Sequence, residues 1–503
     1  MKIKFEVKKI KDVKADALAS VAYEDSVQTK LQWLNTLFKG SLNSLIDSKD
    51  FTGEHGKNTI AYVHNDVKSK RLLLGGLGKS KEINLDKLRR AYASMAKKLN
   101  SLKLKIVGFE VPDLAQIKSI INVPLADIMQ AIAEGIFLSQ YHFKKYSSEE
   151  PPVLFEEVIF FTDSPKYNHE INSALKTAKI ISDAVNICRD MGNEPSNQLT
   201  PDKFADIVKK LAPRAGYTVT VFDEKKVRQL NMGGVVGVSQ GSVNPPRFLI
   251  LQYFGSSKSE KPVVLVGKGV TFDTGGVSLK PSGGMEAMKM DMCGAGAVVG
   301  AFEAVSRLHL KINLIGLIPC VENMPDGNAM RPGDIIKSYS GISIEVLNTD
   351  AEGRLILADA LGYASNYKPK AVIDIATLTG AALITFGNSV AGVMGTNREL
   401  ISNLFEAGEK SYERLWELPL YEEFEKMMKS EVADIKNIGP ARKAGTIMGG
   451  IFLKKFVNNK YPWAHIDIAG TAMNSETTDI TPTEATGFGV RLFVEFLRHT
   501  PLN

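Results

Sequence analysis

Histidine and cysteine are both scarce in this chain of 503 residues, and that scarcity removes most of the common catalytic designs. Of seven histidines, only His309, His465 and His499 lie beyond residue 200. The pattern around them puts His309 near a helix end, His465 at a strand start and His499 near the C-terminus. No His-Glu-x-x-His occurs. A serine–histidine nucleophile pair and a histidine-bound zinc site are both disfavoured. The three cysteines, Cys188, Cys293 and Cys320, are dispersed and odd in number. They argue against a disulfide scaffold and for a cytoplasmic location. No apolar run reaches the ~18 residues of a membrane span. The opening Met1–Val7 alternates like a strand and lacks the apolar core of a signal peptide. No membrane partner is expected.

What is present reads as a globular protein of more than one domain, since 503 residues exceed one ordinary core. Strands are expected at Lys2–Ile10, Ala17–Ala22, Asn58–His64, Arg71–Leu74, Leu104–Glu110 and Glu156–Thr162. Helices are expected at Leu85–Leu102, Leu125–Leu138 and His169–Met191. Thr200-Pro201 starts another helix, with a good cap and proline at its first position. Strands and helices alternate again through Thr218–Phe222, Phe248–Tyr253, Pro262–Val266, Ile312–Ile318, Ile342–Leu347, Ala371–Ile375 and His465–Ile468. This is an α/β pattern throughout. It predicts a smaller N-terminal α/β domain over 1–165 and a connecting helix and linker over 166–195. A larger C-terminal α/β domain over 196–503 would follow.

Two clusters carry the chemistry. The octet Asn348-Thr349-Asp350-Ala351-Glu352-Gly353-Arg354-Leu355 sets two carboxylates two positions apart and an arginine two positions later. It lies between an apparent strand and a buried helix, where open α/β sheets place ligands. Upstream, the apolar run Pro262–Val266 reads as a strand buried on both faces. It empties into Gly267–Lys280, which brings Lys268, Asp273 and Lys280. Asp291 follows, just before a small-residue helix from Ala295 to Leu308. Four acids in one cleft cannot all stay ionised and unpaired. Divalent cations resolve this, and carboxylates shared between ions suit a two-metal hydrolytic site.

These clusters resemble the leucyl (cytosol) aminopeptidase family. The octet is that family's signature, complete. Val266–Lys280, Met288–Gly294, Asp374–Gly380 and His465–Gly470 resemble its other segments. The similarity runs from about Asn193 to Arg498. One departure falls at Gly439–Gly445, where the family usually carries more glycine.

The resemblance implies a fold with a central mixed sheet in the catalytic domain, and a hexamer. It implies an aminopeptidase releasing single N-terminal residues from peptides, with Leu and other apolar residues preferred. Asp273 and Glu352 would bridge two divalent metals, Mn or Zn foremost, Mg or Co as alternatives. Asp350 would complete one site; Lys268 and Asp291 would complete the other. Read alone, Lys268 is a charge-balancing cation. Lys280 would meet the transition-state oxyanion. Arg354 would hold a bicarbonate acting as general base on the bridging water; its alternative is an ion pair with a metal-site carboxylate. Met288, Thr377, Leu378, Gly380, Ala469 and Ala472 match positions lining the family's side-chain pocket, and read alone they are core.

Two further features need a reading. Residues 1–150 hold 25 Lys+Arg against 17 Asp+Glu, while 151–503 hold 37 against 39. A solvated surface explains this; a nucleic-acid partner is permitted but unsupported. Gly75–Ser80 looks like half a phosphate loop, but Leu73 stands where the first glycine is needed, so a plain turn is expected.

Overall fold

The structure, a computed structural model, describes residues 1–63, 68–150, 152–457, 461–474, 476–481 and 484–499. The chain divides into two compact units, 1–182 with 477–482 and 183–476 with 483–503. The helix Asn168–Asn193 begins in the first and ends in the second.

The first unit is built on β1 (Lys2–Val7), β2 (Ala17–Ala22), β3 (Asn58–Tyr62), β4 (Arg71–Gly76), β5 (Ile106–Glu110) and β6 (Glu157–Thr162). They form one sheet in the order β1-β6-β5-β2-β4-β3. All neighbours are parallel except β3, which runs antiparallel to β4 at the edge. The period-two alternation of strands feeds two cores. Ala17, Ala19 and Val21 face one, with Leu88, Tyr92 and Ile132. Leu18 and Ala22 face the other, with Leu31 and Leu34. The helix Leu85–Asn100 starts where the Asn84 side chain accepts the Lys87 N–H at 2.8 Å. The first strand stops at Val7, short of the expected Ile10, because Ile10–Asp12 turns into a 3-10 segment. His64, at the end of the expected third strand, lies outside the described residues.

The second unit adds β7 (Thr218–Phe222), β8 (Arg247–Phe254), β9 (Val263–Gly267), β10 (Gly269–Asp273), β11 (Asn313–Asn323), β12 (Ile335–Lys337), β13 (Ser343–Glu345), β14 (Ala371–Ala376), β15 (Ala391–Gly395), β16 (Leu415–Glu417), β17 (Ile435–Lys436) and β18 (Trp463–Asp467). A nine-stranded mixed sheet runs β16-β15-β18-β14-β9-β11-β8-β7, with β10 beside β11. Its middle strands β18, β14, β9 and β11 are parallel, while β15 and β8 run antiparallel to their inner neighbours. Every residue of β9, β11, β14 and β18 is buried, as a sheet covered on both faces requires.

Two local expectations change. The stretch after β9 contains a further strand, β10, because β11 outruns β9. Leu314–Leu317 pair with β9, and Cys320–Asn323 remain free to pair with β10. The strand before the octet is β13, which belongs to a separate three-stranded sheet with β12 and β17.

Candidate metal centre

The carboxyl ends of β9, β10 and β14 supply most of the site. Lys268 follows β9, Asp273 ends β10 and Thr377 follows β14. Asp291 is near the end of the 3-10 helix Met285–Met292. The octet forms the loop into the helix Gly353–Ala364, with Glu352 at its N-cap. Asp273, Asp350 and Glu352 each offer an oxygen, all within 4.8 Å of one another.

Two lysines thread this set. Lys268 Nζ donates to Asp291 Oδ1 at 2.7 Å and to the Thr377 carbonyl at 2.8 Å, and it pairs with Glu352 Oε1 at 2.9 Å. Lys280 Nζ pairs with Asp273 Oδ2 at 2.8 Å and also with Asp350 Oδ1. Gly353 keeps room for Lys268: a Cβ there would lie 2.4 Å from its Cε. Asp273 Oδ1 accepts the Gly275 N–H at 2.9 Å and the Asn323 amide at 2.8 Å.

The electrostatics are those of crowded acids. Burial pushes the carboxyls of Asp273, Asp291 and Asp350 above their ordinary range, and neighbouring carboxylates add to it. Burial opposes the Lys268 ammonium, but Asp291, Glu352 and Asp273 outweigh that and hold its pKa above the usual lysine value. Burial likewise opposes Lys280, and Asp273 raises it. Four carboxylates against two ammonium groups leave a formal excess of negative charge. Among the described residues Asp291 Oδ2 is buried with no hydrogen bond, and Asp350 Oδ1 and Glu352 Oε1 have ammonium neighbours without a hydrogen bond of normal geometry. Buried acceptors left short of donors, all oxygen, fit hard divalent cations.

Arg354 stands beside this set without touching it. It is 7% exposed, and Nη1 donates to the Asn437 carbonyl at 2.7 Å. Its Nε has no partner, its guanidinium lies 6.0 Å over the Phe452 ring, and burial lowers its pKa to about 10. The ion-pair alternative is not formed: among the described residues Arg354 makes no salt bridge.

The remaining positions are less uniform. Thr377 donates to Asp291 Oδ1 at 2.7 Å. Leu378 and Ala469 are tied together through Asp467, whose Oδ1 accepts both N–H groups at 3.1 and 3.2 Å. Met288 is half-buried three residues before Asp291, and Gly380 opens the helix Gly380–Phe386. Ala472 is 1% exposed, so it offers a ligand little surface.

Several polar groups escaped the sequence reading. Asn323 bridges Asp273 to the Thr349 carbonyl, which it reaches at 3.1 Å. Asn437, fully buried, accepts the Leu347 N–H at 2.8 Å and donates to the Asn348 carbonyl at 2.6 Å, so it clamps the octet. His465 is third of five residues in β18, not at its start, because β18 begins at Trp463. It is fully buried, with Nδ1 2.5 Å from Asp374 Oδ1, and Asp374 also accepts the Trp463 indole N–H at 2.7 Å. Carboxylates inside the apolar strand runs Ala371–Ala376 and Trp463–Asp467 were the available signal, since a buried acid demands a donor. The glycine-poor stretch also shows its cost: Arg442 and Ala444 have φ of 59° and 48°, where glycine is at ease.

A crowded oxygen-donor set at the carboxyl ends of parallel strands defines a cation-dependent hydrolase. The chain matches the family model for the cytosol aminopeptidase family, catalytic domain, over residues 186–494, and that for the N-terminal domain over 20–150. It is 42% identical over 490 residues to the probable cytosol aminopeptidase of Syntrophotalea carbinolica, covering 96% of this chain and 97% of that one. It is 42% identical over 460 residues to the cytosol aminopeptidase of Pseudomonas aeruginosa, covering 91% of each. Among solved structures, a tomato leucine aminopeptidase mutant superposes with a TM-score of 0.87 at 32% identity, over 99% of this chain and 97% of that one. The bottromycin maturation enzyme BotP in complex with Mn does so with 0.85 at 33%, over 96% and 99%. The chain belongs to the cytosol aminopeptidase family and is a metal-dependent aminopeptidase.

Proposed function

We propose that this aminopeptidase releases single N-terminal residues, Leu and other apolar residues foremost, using two divalent cations. Asp273 and Glu352 would be shared by both, Asp350 would complete one set, and Lys268 with Asp291 the other. The observation that carries this is the set of Asp273, Asp350 and Glu352 oxygens within 4.8 Å of one another, with Asp291 Oδ2, Asp350 Oδ1 and Glu352 Oε1 short of hydrogen-bond donors among the described residues. When bound, the cations would supply Lewis acidity to the scissile carbonyl and to the attacking water. Mn or Zn suits the set best, with Mg or Co as alternatives.

The chain's own groups then divide the work. Asp291 Oδ2 is a free acceptor for the substrate's terminal amine, which favours cleavage at a chain end. Lys280, with 21% of its side chain exposed against 4% for Lys268, would swing to the developing oxyanion. Lys268 would give up a proton to become a ligand, a change that nearby dications favour. Arg354, buried with its Nε unused, would hold a bicarbonate that serves as the base. Met288, Thr377, Leu378, Gly380, Ala469 and Ala472 would frame an apolar side-chain pocket.

A cytoplasmic hexamer is part of the same proposal. Three buried free cysteines support the compartment. Exposed Trp416, Tyr421 and Ile384 support subunit contacts. Light scattering on the purified chain tests the assembly. For the activity, Leu-anilide should be cut and acetyl-Leu-anilide left intact, because acetylation removes the amine that the site reads. Equal rates on both would mean a different hydrolase.

A further inference from the structure

A cavity of about 970 Å³ lies wholly within the first unit, and the peptidase chemistry makes no use of it. Its place follows from topology. Lys9 after β1, Asp163 after β6, Pro112 after β5 and Tyr23 after β2 all line it, so it opens at the carboxyl ends of four adjacent parallel strands. From β2 the chain moves to β3 and then β4 on one side, whereas from β5 it moves to β6 on the other. That reversal makes the crevice between β2 and β5 a topological switch point, where open α/β sheets bind ligands. The volume suits a small molecule.

The two ends of the cavity differ. At the β2 end, Trp33 is 46% exposed. The Lys30 ammonium sits 4.5 Å over its ring and is fixed by both oxygens of Glu110 at 2.9 Å, and Glu110 also accepts the hydroxyl of fully buried Ser20. This ammonium is therefore held over one face of the indole before any ligand arrives. The nearby Tyr23 hydroxyl is buried without a hydrogen bond among the described residues, a cost that a polar partner removes. At the β1 and β6 end stand Lys9 and Lys166, neither in an ion pair among the described residues, with Asp163 beside them. Glu6 is taken up by Lys8 at 2.9 Å. Three strand spacings separate the two ends, about 14 Å. The half phosphate loop of the sequence plays no part: the Ser80 N–H and hydroxyl both donate to Asp25 Oδ2, at 3.3 and 2.5 Å.

We infer that this cavity binds a nucleotide-sized anion, with a planar ring against Trp33 and a phosphate toward Lys9 and Lys166. An aromatic carboxylate shares the chemistry but not the length. Calorimetric titration of the full-length protein with AMP, adenosine, inorganic phosphate and indole-3-acetate separates them. AMP should bind, and each of the other three should bind about tenfold more weakly or worse. Trp33→Ala should weaken AMP about tenfold, and Lys9→Ala with Lys166→Ala should abolish the preference for AMP over adenosine. These side chains are exposed, so the variants should keep wild-type melting and peptidase rates. Asp273→Ala should bind AMP as wild type does, which separates this cavity from the metal centre. The inference is overturned by no AMP binding at millimolar concentration, by AMP binding that ignores the Trp33 and lysine variants, or by indole-3-acetate binding as tightly as AMP.

Discussion

Both units present a crevice at the carboxyl ends of parallel strands, yet only one is built to concentrate charge. In the first unit three acids have partners of their own: Glu110 holds Lys30, Asp25 holds Ser80 and Glu6 holds Lys8. In the second, four carboxylates share two lysines, and three of their oxygens lack proper donors. The fold supplies the crevice in both cases. What separates a hydrolytic centre from a binding cleft is the unbalanced burial of like charge, which only a cation can relieve.

Removing a shared carboxylate should have the largest effect. Asp273→Ala and Glu352→Ala should reduce turnover of Leu-anilide to background and lower bound metal, measured by elemental analysis. A variant that keeps both metals and its rate would place the shared ligands elsewhere.

Lys280→Ala comes next. It should lower kcat by roughly 10²–10³-fold, the scale of one oxyanion contact, with metal content intact. Loss of metal would show that Lys280, not Lys268, serves as a ligand. Arg354→Ala should cost roughly 10²-fold, the low end for a general base. Wild type in carbonate-free buffer should slow and recover on adding bicarbonate, while the variant responds little. If neither responds, Arg354 is a structural strut for the Asn437 loop.

Asn437→Ala probes the scaffold. It removes both the acceptor of the Leu347 N–H and the donor to the Asn348 carbonyl, and two hydrogen bonds together are worth about 1–3 kcal/mol of stability. Thermal melting should show this, together with weaker metal retention. An unchanged melt would mean the octet holds its shape alone.

Strongly patterned elements were legible from residues: Ala17–Ala22 and Leu125–Leu138 form as strand and helix with the expected bounds. Lys268, Lys280, Asp273, Asp291, Asp350 and Glu352 were legible as a set because local motifs carry them, and the structure gathers them into two lysine-centred trios that meet where the Asp273, Asp350 and Glu352 oxygens lie within 4.8 Å of one another. Asn323 and Asn437 were not legible, because each acts on groups many residues away in the chain. Nor was β10, since its existence depends on the length of β11 rather than on its own sequence. The Asp374–His465 pair likewise depends on the β14–β18 register.

The central claim is that buried, under-partnered carboxylates make this site depend on cations. The direct measurement strips the enzyme with chelator, verifies removal by elemental analysis, and titrates Mn or Zn back while following Leu-anilide hydrolysis. The stripped enzyme should be inactive and should recover fully as two ions bind per chain. Full activity in verified metal-free enzyme would contradict it.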